Sequence, residues 1–323
     1  MMVSVERPQS RAVILGASGF IGINLAHALI AAGYDVTCFA RSQSPHWPPA
    51  CRVILGDFVG PPAALLDAMR SALVFHLVSS SRPSADTAAA ATELAANAGA
   101  TAALLEETKD LACRWVFASS GGTVYGQPSA ELIAETHPTE PISSYGIVKL
   151  AIEKYFALYG RVHSTDYAIA RIANPYGPWQ KTTTGQGVVA ALFDRVANKR
   201  TIEIWGDGGN IRDFVHVDDA VAALIAIGEG AAPGRVYNVG SGRGTTVVEL
   251  AGMIGTIVGT PADLVFRPAR GIDVRRNVLD IGRIKNELGW QPRLSLQAGL
   301  EHTHCWLRGA EKKILQPATQ RSV

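Results

Sequence analysis

Short apolar runs recur through the first half of the chain, and helix-length segments separate them. The runs are RAVIL (11–15), DVTCFAR (35–41), RVILGD (52–57), ALVFHLVSS (72–80), RWVFASS (114–120) and DYAIARIAN (166–174). They read as continuous rather than alternating. A strand with one wet face alternates polar and apolar residues, whereas a strand covered on both faces does not. The covering layers have to be the segments in between. One of these places Ile21, Leu25, Ala28 and Leu29 at helical spacing and stops at Gly33. A long alanine-rich helix is predicted over roughly 86–109 and another over roughly 144–160. The pattern predicts a parallel sheet with helices on both faces.

The texture changes after Asn174. PYGPWQKTTTGQG is rich in Pro, Gly and Thr, and the later strands (TIEIWGDG, RVYNVGSG) and the helix at 188–198 are less regularly spaced. The expectation is a dinucleotide-binding domain over 1–174, to which 214–240 returns. A smaller C-terminal α/β substrate-binding domain would take 175–213 and 241–323. With 47% hydrophobic and 18% charged residues, 323 residues suffice for a substantial core.

Composition excludes several function classes. A net charge of +2 with no Lys/Arg stripe argues against a nucleic-acid partner. There is no run of ~18 apolar residues and no leader pattern, so a soluble cytoplasmic protein without a membrane span is expected. The four cysteines, Cys38, Cys51, Cys113 and Cys305, show no CxxC spacing. His302, His304 and Cys305 crowd together, but not at the i, i+4 spacing of a zinc helix, so no metal is expected.

The first turn carries chemistry. ILGASGFIG places Gly16, Gly19 and Gly22 between strand and helix, spaced GxxGxxG. The turn must be sharp, the backbone must approach a pyrophosphate and the helix must pack close to the sheet; each demand removes a side chain. The helix start then offers free N–H groups and its dipole to the phosphates. Gly16, Ser18, Gly19, Phe20, Ile21 and Gly22 are therefore the expected cradle of a dinucleotide, and the fold class is a doubly wound sheet of Rossmann type. The second strand ends Ala40-Arg41-Ser42, with no acid to hold a ribose 2′-hydroxyl. Arg41 and Ser42 suit a 2′-phosphate, so NADP is favoured over NAD. Asp57 is read either as an acceptor for the adenine amino group or as a helix cap. Phe58 and Asn97 complete the expected cofactor set.

SSYGIVKLAIEKY supplies Tyr145 and Lys149, which at i, i+4 share one helix face. A phenol with a pKa of about 10 is a poor base at neutral pH. A nearby ammonium and a positive nicotinamide ring favour the phenolate and lower that value. Such a phenol can exchange a proton with a sugar hydroxyl while hydride passes to or from the cofactor.

GASGFIG, the SS…TVYG strand end, YGIVK, ARIANPYGP and RDFVHVDD together resemble the extended short-chain dehydrogenase/reductase family, and within it the nucleotide-sugar epimerases of the UDP-glucose/UDP-galactose 4-epimerase type. The resemblance runs from about residue 11 to residue 308. It implies that the strand end faces the sugar's C4 and that a Ser or Thr stands three residues before Val-Tyr-Gly. That position is Gly121 here, so Thr123 and then Ser120 become the candidates for the missing hydroxyl. By the same resemblance Asn174 would donate to a nucleotide diphosphate, Arg212 and Arg270 would pair with its phosphates, and Val188 would stand in the wall near the base. The resemblance further implies a homodimer in which the helices at 86–109 and 144–160 pair as a four-helix bundle. Asp218 and Asp219 are expected to cap a helix. Nucleotide-sugar 4,6-dehydratases carry Asp-Glu where this chain has Gly122-Thr123, which argues against dehydration. Three readings follow: a C4 epimerase of a nucleoside-diphosphate sugar, an NADPH-dependent 4-ketoreductase, and a non-catalytic cofactor-binding sensor.

Overall fold

A computed structural model describes residues 10–80, 87–180, 187–269 and 274–314. Its centre is a seven-stranded parallel sheet built from β1 (Arg11–Leu15), β2 (Asp35–Ala40), β3 (Arg52–Leu55), β4 (Leu73–His76), β5 (Arg114–Ser120), β6 (Asp166–Ile172) and β10 (Arg235–Val239). The spatial order is β10-β6-β5-β4-β1-β2-β3. The chain runs outward one way from β1 through β2 and β3, then restarts at β4 on the other side of β1. The crevice over the strand ends at such a reversal is where ligands bind in sheets of this kind.

The continuous apolar runs of the inner strands have the reason inferred from sequence, while edge strand β3 leaves Val53 and Leu55 exposed. Along β1, Ala12 and Ile14 join one core while Val13 and Leu15 join a second on the opposite face. The first core is closed by α1 (Phe20–Ala31) and α7 (Val217–Gly230), the second by α2 (Ala63–Met69), α4 (Ala100–Thr108) and α5 (Ser144–His163). Each fully buried large apolar side chain contributes about 1.5–3 kcal/mol. Trp115, Phe75, Phe117 and Phe156 are among them.

The long alanine-rich helix is not uniform. It comprises α3 (Ala90–Leu94), a π-helical turn over Ala95–Gly99, and α4. The widened turn presents Asn97, whose amide accepts from Ser80 N at 2.8 Å and donates to Ser80 Oγ at 2.8 Å. The bulge thus ties the helix to the segment that follows β4.

After β6 the chain leaves the sheet. β7 (Asn174–Tyr176), α6 (Val188–Ala197), β8 (Ile202–Trp205) and β9 (Ile211–His216) precede the return through α7 and β10. Then come β11 (Gly244–Thr246), α8 (Val247–Val258), β12 (Leu264–Arg267), β13 (Arg276–Asn277), α9 (Gly282–Leu288) and α10 (Leu296–Ile314). β9 is the hub here, pairing with β7, β11 and β13, while β8 pairs with β12. A third core, with Leu192, Phe193, Phe214, Leu250 and Ile254, fills this part.

The cap of α7 differs from expectation. His216 is the capping residue, its Nδ1 accepting from Asp218 N at 3.2 Å. Asp219 instead accepts from Arg293 N and Leu294 N, both at 3.0 Å, and so anchors the approach to α10.

Candidate active site

A cleft of about 630 Å³ opens over the carboxyl ends of β1, β4, β5 and β6. Gly16, Gly19, Phe20, Ile21 and Gly22 line one end, Ser120, Thr123, Tyr145 and Lys149 the middle, and Asn174, Val188 and Arg212 the far wall.

The glycine turn fits a dinucleotide pyrophosphate. Gly16 has φ 86°, in the left-handed region, and a Cβ on Gly22 would lie 2.6 Å from the Gly16 carbonyl oxygen. Only bare backbone lets α1 start this close to β1. Gly19 caps α1 with no side-chain acceptor, so the first helical N–H groups face the cleft without a capping oxygen. Gly16 and Ala17 both donate to the Phe39 carbonyl, which ties the turn to the end of β2. Arg41 and Ser42 follow directly and are exposed.

The middle of the cleft is held by β5 and α5. Ser143 caps α5 by accepting from Gly146 N at 3.2 Å, which starts the helix just before Tyr145. Ser120 at the end of β5 lines the cleft with Tyr145 and pulls on its phenol. Lys149 is 4% exposed and donates to the Ala118 carbonyl at 2.9 Å. Its Nζ lies 4.9 Å from the Phe117 ring centroid and 5.8 Å from that of Tyr145. Burial pushes Lys149 down to about 8, and the charge of Glu153 opposes that. Burial pushes the Tyr145 phenol up to about 12, with Ser120 pulling the other way. The phenol of the free chain thus stands above its ordinary value rather than below it, because burial dominates. His76, packed beneath, is pushed down to about 3 by burial and by the Lys149 charge, and stays neutral.

The glycine pair divides its work. Gly121 faces away from the cleft: a Cβ there would lie 2.5 Å from Leu279 Cδ1 and 2.9 Å from the Arg171 carbonyl oxygen. Gly122 lines the cleft, and a Cβ there would come no nearer than 3.9 Å to Ser120 Oγ and Asn174 Oδ1. The hydroxyl touching the phenol is that of Ser120. Thr123 Oγ1 is buried with no hydrogen-bond partner.

Asn174 donates one amide hydrogen to the Asp213 carbonyl at 2.8 Å. Arg212 lines the cleft and donates to the Ile211 carbonyl at 2.9 Å. The Asp213 carboxylate is fully buried and accepts from Ser241 N, Ser241 Oγ, Gly242 N and Leu279 N, which fixes the strand carrying Arg212. Other predicted residues lie off the cleft wall. Ser18 and Asp57 are exposed, and Asp57 accepts from Val59 N at 2.9 Å. Phe58 is buried in the second core, 5.1 Å from the His76 ring, and Asn97 is buried beneath the Ser80 segment. Arg270 lies outside the described residues. Sequence reasoning missed Gln180 and Ser143, both in the wall; the Ser-Ser before Tyr145 was the available cue for the latter.

His302 and His304 sit on different faces of α10, the first beside His216 and the second stacked on Phe193. Among the described residues, the group with metal-ligand spacing is His216, Asp218 and His302. There the His216 Nδ1 lone pair is engaged by the helix cap.

A glycine turn under a helix start, sharing one cleft with a Tyr–Lys pair on a second helix, defines a dinucleotide-dependent enzyme of the short-chain dehydrogenase/reductase class. Comparison narrows the class: residues 12–240 match the NAD dependent epimerase/dehydratase family, and the chain belongs to it. It is 34% identical over 307 residues to a UDP-glucose 4-epimerase of Mycolicibacterium smegmatis, covering 91% of this chain and 97% of that one. It superposes with a TM-score of 0.87 at 30% identity on the crystal structure of a UDP-glucose 4-epimerase of Thermotoga maritima with UDP-glucose, covering 93% of this chain and 99% of that one. A Thermus thermophilus UDP-glucose 4-epimerase complexed with NAD gives a TM-score of 0.83 at 28% identity, with the same coverage. No helix among the described residues is long and apolar enough to cross a membrane.

Proposed function

We propose that this chain is an NAD(P)-dependent epimerase that inverts the C4 hydroxyl of a nucleoside-diphosphate sugar, of the UDP-glucose/UDP-galactose kind or an N-acetyl or uronate analogue. The observation that carries the reading is the convergence of Ser120, Tyr145 and Lys149 in the middle of the cleft shared with the glycine turn. Gly16, Gly19 and Gly22, with the N–H groups of Phe20 and Ile21, hold the dinucleotide pyrophosphate. When bound, the cofactor supplies a hydride acceptor and then a hydride donor, and its positive oxidised ring lowers the cost of a phenolate. Tyr145 takes the C4 hydroxyl proton at its phenolic oxygen and gives it back after the ketone has turned. Ser120 holds that oxygen in place, and Lys149 supplies a positive charge beside it. Thr123 offers its unpartnered hydroxyl to the sugar. Asn174 and Arg212, with Arg270, bind the diphosphate, and Val188 borders the base.

Three finer points belong to the same proposal. Arg41 and Ser42, exposed just after β2 with no acid beside them, favour NADP over NAD, with Asp57, Phe58, Ser18 and Asn97 around the adenosine. The enzyme is a cytoplasmic homodimer: Leu94 on α3 and Ile147, Tyr155, Leu158 and Val162 on α5 are exposed on helices that would form a four-helix bundle. The cofactor unit is 1–174 with 214–240, and the substrate unit 175–213 with 241–323. Arg41 also favours a second reading, an NADPH-dependent 4-ketoreductase.

The test is incubation of the purified protein with UDP-, dTDP- and GDP-sugars, with product chromatography and absorbance at the reduced-nicotinamide band. C4 epimers formed without net cofactor turnover support the epimerase; steady consumption of added NADPH supports the reductase. Tyr145→Phe should lose roughly 10²- to 10⁴-fold in turnover, and a fully active variant would sink the mechanism.

A further inference from the structure

Glu153 stands one turn beyond Lys149 on α5, and two beyond Tyr145, so the three line one face of the helix. Its partner is Arg171 on β6. The two side chains are 4% and 6% exposed, and Arg171 grips the carboxylate with two nitrogens: Nη2 to Oε2 at 2.7 Å and Nε to Oε1 at 3.1 Å. Oε1 also accepts from the hydroxyl of Ser119, the residue before Ser120. Arg171 Nη1 turns away, donating to the Tyr125 hydroxyl at 3.0 Å. Tyr125 in turn donates to Asn238 Oδ1 at 2.7 Å.

A buried ion pair is weak evidence for stability, since an apolar pair of similar volume often serves as well. This pair has a directional arrangement: its carboxylate is carried one helical turn from Lys149 on α5, and its guanidinium comes from β6. The groups facing the Lys149 ammonium are Tyr145 and Glu153 from α5, neutral His76 from β4, and the Phe117 ring and Ala118 carbonyl from β5, with Arg171 of β6 behind Glu153. Among the described residues, Glu153 is the acidic group whose charge acts on Lys149.

We propose that Glu153, clamped by Arg171, is a positioning residue for proton and hydride transfer: its carboxylate keeps Lys149 an ammonium inside the cleft wall, and through Ser119 it fixes the strand end that presents Ser120 to Tyr145. The proposal rests on the roles given above to Tyr145 and Lys149. Burial works against the Lys149 charge and Glu153 is what opposes it, in agreement with the geometry.

The experiment measures kcat and KM against pH for Glu153→Gln and for the double variant Glu153→Leu/Arg171→Met, with urea unfolding alongside. The single variant leaves a buried guanidinium unpaired and is expected to be destabilised; the double variant removes carboxylate and guanidinium together, leaves Lys149 its bond to the Ala118 carbonyl, and should fold. In the double variant the alkaline limb of kcat/KM should move down by about 1 pH unit. At pH 8 kcat should fall roughly fivefold, the change in protonated fraction when a group titrating near 8 moves down by one such unit, with KM little altered. A folded double variant with the parent's pH profile and kcat would overturn the proposal. If Tyr145→Phe is inactive and the double variant is unshifted, only the role of Glu153 falls; if Tyr145→Phe matches the parent, the underlying mechanism falls first.

Discussion

The floor of the cleft and its far wall are prepared to different degrees. On the floor the charged and polar groups beneath the phenol have partners inside the chain: Lys149 with the Ala118 carbonyl and Ser119 with Glu153. Above it, Thr123 Oγ1 in the middle of the cleft and Gln180 Oε1 in its wall are buried without one. An unmet buried hydroxyl or carbonyl costs about 1–3 kcal/mol. The floor is set before any ligand arrives, which keeps reorganisation out of the chemical step. The wall holds a deficit that a ligand's polar groups would remove.

The strongest way to break this contrast is to disarm the floor. Lys149→Met should cut turnover roughly 10²-fold or more, because the phenolate loses its fixed counter-charge. The parent should also show the sign of that charge. Below a pH of about 8 Lys149 is an ammonium, and above it the amine is neutral, so kcat/KM should decline as pH rises through about 8. Steady-state rates from pH 6 to 10 check this, and an alkaline limb unchanged in Lys149→Met would assign it to another group.

Next in size is Gly121→Ala. The added methyl meets Leu279 and the Arg171 carbonyl, so overpacking should cost about 1–3 kcal/mol in urea unfolding. Equal stability would mean that the strand end yields more readily than a preset floor should.

At the unmet hydroxyl, Thr123→Val should act in opposite directions on the two observables. Removing an unpartnered buried hydroxyl should stabilise the free protein by up to about 1 kcal/mol, while kcat/KM for the sugar falls about tenfold, the loss of one neutral hydrogen bond. A variant less stable than the parent would mean that the hydroxyl has an internal partner. The smallest effect is expected for Gly122→Ala, since an added methyl would meet nothing nearer than ordinary van der Waals contact at 3.9 Å. Stability should change by less than about 0.5 kcal/mol, and any loss should appear in KM as the cleft narrows beside Asn174.

The floor was more legible in the sequence than the wall. β1, the glycine turn and α1 form one contiguous segment, as do the cap and face of α5, so local rules decide them. Gly121 was not legible, because its orientation depends on Leu279, which arrives from the far end of the chain. The π-helical turn in the alanine-rich helix was hidden for a similar reason: it is held by Asn97 reaching to Ser80, which composition does not encode. Asp57 and Phe58 are adjacent, yet one turns to solvent and the other into the second core. His216 takes the place of the two aspartates as the cap of α7, its ring accepting from the amide of Asp218, the second residue of the helix. Arg171 reads as one cation in an apolar strand, and its partner on α5 appears only when the helix is laid on the sheet.

The excursion between β6 and β10 has a consequence for engineering. Because β10 completes the sheet beside β6, and α7 covers it, a shortened protein ending near residue 174 would bare the flank of Tyr237 and the seat of Leu224 and Ile227. Grafting a different sugar pocket onto this scaffold therefore needs paired junctions, one on each side of the returning helix and strand.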